Sequence, residues 1–141
     1  MTSVAHCSCG SLQAEAVADP IFVVACHCIE CQRRTGAPFG VSAFFGKADV
    51  RTNGLRTTYV RDGQEGKLRF HFCPTCGTTV FWFADLLPDC IDIAVGAFAD
   101  PSFAKPTRSI WEQTRHTWVA FDHLLEHFPE GTSARDRLGT Q

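Results

Sequence analysis

The chain has 141 residues, 45% of them hydrophobic and 20% charged, with a formal net charge of -2 at pH 7. That length suits one domain with a core of its own, so metal need not be its only source of stability. The near-balanced charge argues against a nucleic-acid binder that works through bulk electrostatics, and no run of about 18 apolar residues marks a membrane span.

The opening residues, MTSVAHCSCG, lack the basic and apolar regions of a signal peptide. The expected compartment is therefore the reducing cytoplasm, where clustered cysteines bind metal more often than they pair. Twelve phenylalanines suggest a core packed with aromatics.

In chain order, the predicted elements are short and mostly strand-like. Leu12 to Val17 and Ile21 to Ala25 flank the turn-forming Ala18-Asp19-Pro20. One short helical turn is expected from Glu30 to Thr35. Gly40 to Phe45, Leu55 to Arg61, Leu68 to Phe72, Thr78 to Phe83 and Ile91 to Val95 read as further strands, rich in β-branched and aromatic residues and punctuated by Gly54, Gly63, Gly66 and Pro88. Trp118 to Phe121 and His123 to His127 carry no clear period. A domain over residues 1–128 and a polar tail over 129–141 are expected, with a mostly β architecture.

Seven of the eight cysteines fall in three groups: Cys7-Ser8-Cys9-Gly10, Cys26-His27-Cys28-Ile29-Glu30-Cys31 and Cys73-Pro74-Thr75-Cys76-Gly77. A C-x-C pair in a strand presents two thiolates to one side, and a C-x-x-C pair closes a turn on which two sulfurs converge. Gly10 and Gly77 permit a positive φ that turns backbone N–H groups toward sulfur, and Pro74 fixes φ at the start of its turn. Four thiolates, Cys7, Cys9, Cys73 and Cys76, suit a closed structural zinc. Cys26, Cys28 and Cys31 then remain, and three ligands with one open position suit a catalytic zinc. Spacing leaves other partitions open. Cys7 and Cys9 can instead join two of the trio, and His27, His71, Cys90 or an acid can close the trio into a purely structural site.

The C-x-C-G at 7–10, the C-H-C-x-x-C at 26–31, the QRRTGAPFG at 32–40 and the F-C-P-x-C-G at 72–77 resemble the family of glutathione-dependent formaldehyde-activating enzymes, which includes centromere protein V. The resemblance extends roughly from Cys7 to Asp122. It implies a β-tent fold of several twisted antiparallel sheets around zinc, with two Zn2+ per chain. Cys7, Cys9, Cys73 and Cys76 would hold the structural ion, and Cys26, Cys28 and Cys31 the second, near the glutathione site. The implied activity condenses formaldehyde with glutathione to S-hydroxymethylglutathione, a carbon–sulfur lyase reaction. The partners would be a small thiol such as glutathione and an aldehyde, with no nucleic acid and no membrane.

The remaining candidates divide by position. Arg33 and Arg34 directly follow the trio and can compensate its negative charge or pair with glutathione carboxylates. His27, between two ligands, is expected to point away from the metal. His71 alternates with Phe70 and Phe72 and reads as a sheet-face residue, and Cys90 as an ordinary buried thiol. Phe44, Phe45, Phe81, Trp82 and Phe83 read as core, and Gly36 to Gly40 as a turn at the rim of a pocket. A zinc-stabilised interaction or chaperone-like module and an oxidation-sensitive thiol sensor are the competing function classes.

Overall fold

The computed structural model describes residues 2–123 and 125–132. It is mostly β, as the sequence suggests. In chain order the elements are β1 (Ser3–His6), β2 (Gln13–Ala16), β3 (Phe22–Cys26), α1 (Ile29–Thr35), β4 (Gly40–Gly46) and β5 (Val50–Asn53). There follow β6 (Thr57–Asp62), β7 (Lys67–Phe72), β8 (Thr79–Ala84), β9 (Cys90–Ala94), β10 (Arg108–Ile110) and β11 (Glu126–His127). Among the described residues no helix is long and apolar enough to cross a membrane.

Backbone proximity groups the chain into two compact units. The first joins the residues up to Ile21 with Ala43–Phe103. The second joins Phe22–Ser42 with the segment from Ala104 on. β4 begins in the second and ends in the first.

In the first unit, β2 pairs antiparallel with both β1 and β5, placing Ala14 opposite Ala5 and Thr52. Alternation along β2 buries Ala14 and Ala16 and exposes Gln13, the period-2 pattern of a half-buried strand. A second layer runs in the order β4-β9-β8-β7-β6. β6, β7 and β8 form an antiparallel meander in which Phe70 lies opposite Trp82 and His71 opposite Phe81. Phe44, Phe45, Val80, Phe81, Trp82 and Ile93 are buried here, so the aromatic-rich runs do form core. Phe83 is half-buried, and Cys90 is buried at the start of β9.

The second unit is built on parallel pairing. β10 runs parallel to β3 on one side and to β11 on the other. All of β3 but Cys26 is buried, which explains its unbroken FVVA run. Val119 and Leu125 are also buried in this unit. Its last described residues are tied down: the carbonyls of Phe128, Pro129 and Glu130 accept from the N–H groups of Glu112, Gln113 and Trp111. Part of the tail expected over 129–141, residues 133–141, lies outside the described residues.

Four strands, β1, β5, β10 and β11, have no counterpart in the predicted elements. Each has four residues or fewer, which leaves little room for a period to show, and each depends on the neighbour that supplies its hydrogen bonds.

Gly54 closes β5 with φ +106°, and a Cβ there would lie 1.9 Å from the Ser11 carbonyl oxygen. The end of β5 can approach the Cys7–Ser11 loop only because residue 54 has no side chain. Gly54→Ala is expected to destabilise the protein by more than about 2 kcal/mol. Thermal unfolding checks this, and an unchanged midpoint would contradict it.

Candidate metal centres

In the first unit, Cys7, Cys9, Cys73 and Cys76 converge, with all four sulfurs within 4.8 Å of one another. Cys7 follows β1 and Cys73 follows β7, so each strand delivers its first thiol as it ends. Two matching loops carry the rest. The Cys7 N–H donates to the Leu12 carbonyl at 2.9 Å, and the Cys73 N–H to the Thr78 carbonyl at 3.0 Å. Gly10 at φ +80° and Gly77 at φ +79° make the turns. The Cys7–Cys9 pair therefore sits on a turn and not on a strand, as its spacing had suggested.

Backbone N–H groups point at the sulfurs. Leu12 donates to Cys7 Sγ at 3.3 Å, and Thr75 and Cys76 donate to Cys73 Sγ at 3.4 and 3.5 Å. Side-chain hydroxyls add to this. Ser11 Oγ lies 3.1 Å from Cys9 Sγ and 3.3 Å from Cys73 Sγ, and Thr78 Oγ1 lies 3.4 Å from Cys76 Sγ. The Ser8 N–H donates to the same Thr78 Oγ1 at 3.1 Å, stitching one loop to the other.

The donor set fits zinc. The Cys7–Cys9 and Cys9–Cys73 sulfur pairs are each 3.6 Å apart. A tetrahedron of sulfurs about 2.3 Å from its centre has edges of about 3.8 Å. All eight cysteines are free thiols. The Ser11 hydrogen bond holds the Cys73 thiol down to about 7, and the Thr78 hydrogen bonds hold Cys76 down to about 5. For Cys9 the Ser11 hydroxyl acts in the same direction, but the neighbouring Cys7 and Cys73 sulfurs outweigh it and the thiol is raised.

The second unit gathers Cys26, Cys28 and Cys31, again within 4.8 Å of one another, and no fourth His, Cys, Asp or Glu joins them among the described residues. Cys26 ends β3. Cys28 caps α1, its sulfur accepting from the Cys31 N–H at 3.3 Å, and Cys31 lies in the first turn. Gly36, at φ +68°, ends the helix. A Cβ on the buried Gly40 would lie 2.9 Å from Arg34 Nη2 and 3.6 Å from Cys31 Cβ, so the Gly36–Gly40 loop packs directly against the trio's helix.

In the trio two thiols are raised, in contrast to Cys73 and Cys76. Hydrogen bonding with Cys28 and Cys31, together with burial, pushes Cys26 well up. Cys31 is lowered by its bond to Cys26, but Cys28 and burial outweigh that and raise it, while the positive charge of Arg34 partly opposes them. Arg34 is thus half-buried beside the trio, whereas Arg33 is exposed and pairs with Glu30 at 3.4 Å.

His27 points away from the Cys26 side of β3, as expected. It continues the ladder, its N–H donating to the Ile110 carbonyl at 3.0 Å, and its Nε2 lies 2.9 Å from Ser109 Oγ. Two side chains hold its carbonyl: Gln32 Nε2 at 2.9 Å and Thr114 Oγ1 at 2.8 Å. Gln32 Oε1 is in turn 2.9 Å from His116 Nε2. Ser109, Thr114 and His116 were invisible as site residues because they stand 82 or more positions from their partners. His71 joins neither centre. It stacks on Phe81 at 4.9 Å, with its Nδ1 3.1 Å from Thr58 Oγ1.

Metal binding by thiols competes with protons, so a lower thiol pKa preserves binding to lower pH. The lowered Cys73 and Cys76 and the raised Cys26 and Cys31 predict the order of release. As pH falls, the trio should lose its ion first and the tetrad last. A pH titration with a chromogenic chelator, repeated on Cys28→Ser to remove the trio's contribution, checks this. Loss from the tetrad first would contradict it.

The family model of the glutathione-dependent formaldehyde-activating enzymes matches residues 2–114, which contain both thiol clusters. A solved structure of a Rhodobacter sphaeroides protein superposes with a TM-score of 0.53 at 22% sequence identity, over 67% of this chain and 85% of that one, which speaks for the fold. No curated protein matches the sequence.

Proposed function

The chain belongs to the glutathione-dependent formaldehyde-activating enzyme family, and from that premise we propose that it is a zinc-dependent carbon–sulfur lyase acting on adducts of glutathione, or a similar small thiol, with an aldehyde. The observation that carries this reading is the difference between the two thiol clusters. One unites four sulfurs, a complete set for a structural ion; the other unites three, which leaves a position for an incoming group. Zinc bound by the trio would supply Lewis acidity and favour the thiolate form of a bound thiol.

The chain's own residues then have distinct tasks. Cys7, Cys9, Cys73 and Cys76 hold the architecture of the first unit. Arg34, close enough to Cys31 to oppose in part the rise of its thiol, offsets some of the charge of three thiolates. Arg33 projects into solvent from the same helix, held only by an exposed pair with Glu30 that contributes little. It is free to exchange that partner for a glutathione carboxylate. In the synthetic direction the thiol gives up its proton, its sulfur adds to the aldehyde carbon as the C=O π pair moves to oxygen, and that oxygen takes up one proton. In the lyase direction the same C–S bond breaks and the hydroxyl proton leaves.

Metal analysis of the folded protein should give two zinc per chain. Cys28→Ser should keep one zinc and its cooperative unfolding. Its turnover of glutathione with formaldehyde should fall by more than the roughly 10–100-fold that loss of an outer-shell partner costs. Cys73→Ser should instead lose cooperative unfolding. One zinc per chain at full occupancy, or full turnover in Cys28→Ser, would sink the assignment.

A further inference from the structure

The two loops of the tetrad share one short pattern. Each contains, in order, a cysteine, a glycine and a hydroxyl residue: Cys9-Gly10-Ser11 in the first and Cys76-Gly77-Thr78 in the second. The glycines adopt φ +80° and +79°, yet a Cβ at either would meet nothing within 4 Å. Backbone conformation, and not space, therefore demands them. That conformation has the same result in both loops. The hydroxyl two residues after the cysteine comes back to its sulfur. Ser11 Oγ lies 3.1 Å from Cys9 Sγ, and Thr78 Oγ1 lies 3.4 Å from Cys76 Sγ.

The sulfurs met in this way are the exposed pair. Cys7 and Cys73 are buried, whereas Cys9 and Cys76 are exposed. Each hydroxyl also crosses to the opposite loop or its sulfur. Ser11 Oγ lies 3.3 Å from Cys73 Sγ, and 3.8 Å from Cys7 Sγ in its own loop. It thus stands over the face that the Cys7, Cys9 and Cys73 sulfurs make. Thr78 Oγ1 serves the fourth corner and reaches Ser8, accepting from its N–H at 3.1 Å with the Ser8 Oγ also at 3.1 Å. Between them the two hydroxyls touch all four sulfurs.

A hydroxyl has one proton to give and can accept as well, whereas a thiolate only accepts. Thr78 Oγ1 already accepts from Ser8, so its own proton is available to Cys76. The Ser11 proton is shared between Cys9 and Cys73, sulfurs of different loops. A hydrogen bond to a charged acceptor is stronger than one between neutral groups. It also draws charge from the sulfur without occupying a coordination position.

We propose that Ser11 and Thr78 are positioning residues of the tetrad. They form a pair of hydroxyl caps, placed by the Cys-Gly-Ser/Thr turn, that hold the exposed thiolates and set how well the site retains zinc. This rests on reading the tetrad as a closed zinc site and is independent of the trio's chemistry.

The test uses the full zinc-loaded chain carrying Cys28→Ser, so that the tetrad alone is read. Against a chromogenic chelator, Ser11→Ala and Thr78→Val should each weaken zinc retention by roughly 10–100-fold, the usual cost of losing an outer partner of a metal ligand. Ser11→Thr and Thr78→Ser keep the hydroxyl and should restore retention. Cobalt in place of zinc separates a bond to sulfur from packing. Loss of a hydroxyl leaves a more electron-rich thiolate. The sulfur-to-cobalt charge-transfer band should then move to longer wavelength in Ser11→Ala and Thr78→Val, while the d–d bands of a tetrahedral four-sulfur site persist. If Ser11→Ala does not fold, Thr78→Val carries both readouts. Unchanged retention in a folded variant, an unmoved charge-transfer band, or no restoration by the hydroxyl-bearing replacements overturns the proposal. If the Cys28→Ser chain binds neither zinc nor cobalt, the tetrad reading itself fails and the caps fall with it.

Discussion

Four sulfurs from two distant loops converge on one point in the first unit. Cys9 and Cys73 stand 64 positions apart, yet their sulfurs are 3.6 Å from each other. Closing a flexible loop of that length costs about 4 kcal/mol beyond a constant term. A structural zinc site contributes apparent binding energies of roughly 10–16 kcal/mol in small peptides, so a bound ion would outweigh the closure cost by a wide margin. The strands inherit this constraint. β1 and β7 each end at a cysteine, so the positions of both sheets of that unit are referred to one point. Gly54, whose missing Cβ admits the Ser11 carbonyl, and Thr78, which links the two loops, are consequences of the same convergence.

The trio obeys a different logic. Its three thiols are half-buried, Cys26 and Cys31 are raised, and its neighbours are chosen for placement more than for charge compensation. The Cys26–Cys28 corner is pinned on both sides: through the His27 carbonyl by Gln32 and Thr114, and through the His27 ring by Ser109. Outer partners of this kind orient ligands and commonly matter nearly as much as the ligands themselves. The cationic side chain of Arg34 lies close enough to oppose, in part, the rise of the Cys31 thiol. Three thiols with low net compensation are a less complete donor set than the four of the tetrad.

Local signals carried the parts of the fold whose causes are local. The longer strands were legible because FVVA, LRFHF and TVFWF combine β-branched and aromatic residues between turn formers. The loops around Cys7 and Cys73 were legible because glycine at positive φ is a local demand, met at Gly10 and Gly77. What the C-x-C spacing misled about was the backbone under Cys7 and Cys9, since a turn as well as a strand can bring residues i and i+2 to one side. β1, β5, β10 and β11 stayed hidden because strands of four residues or fewer owe their existence to a neighbour's hydrogen bonds.

The sequence by itself determined the candidate ligands: which thiols exist, in which groups, and with which glycines, because metal chemistry and turn geometry act over a few residues. Only the tertiary structure decided the partition, bringing Cys7 and Cys9 to Cys73 and Cys76 while leaving Cys26, Cys28 and Cys31 by themselves. The same holds for the residues around the trio. Ser109 and Thr114 are ordinary polar residues in sequence. They acquire a role when β10 pairs with β3 and the strained turn at Trp111 folds the following residues back. Pairing across some eighty positions depends on the summed burial and hydrogen bonding of whole strands, and no short window of sequence contains that sum.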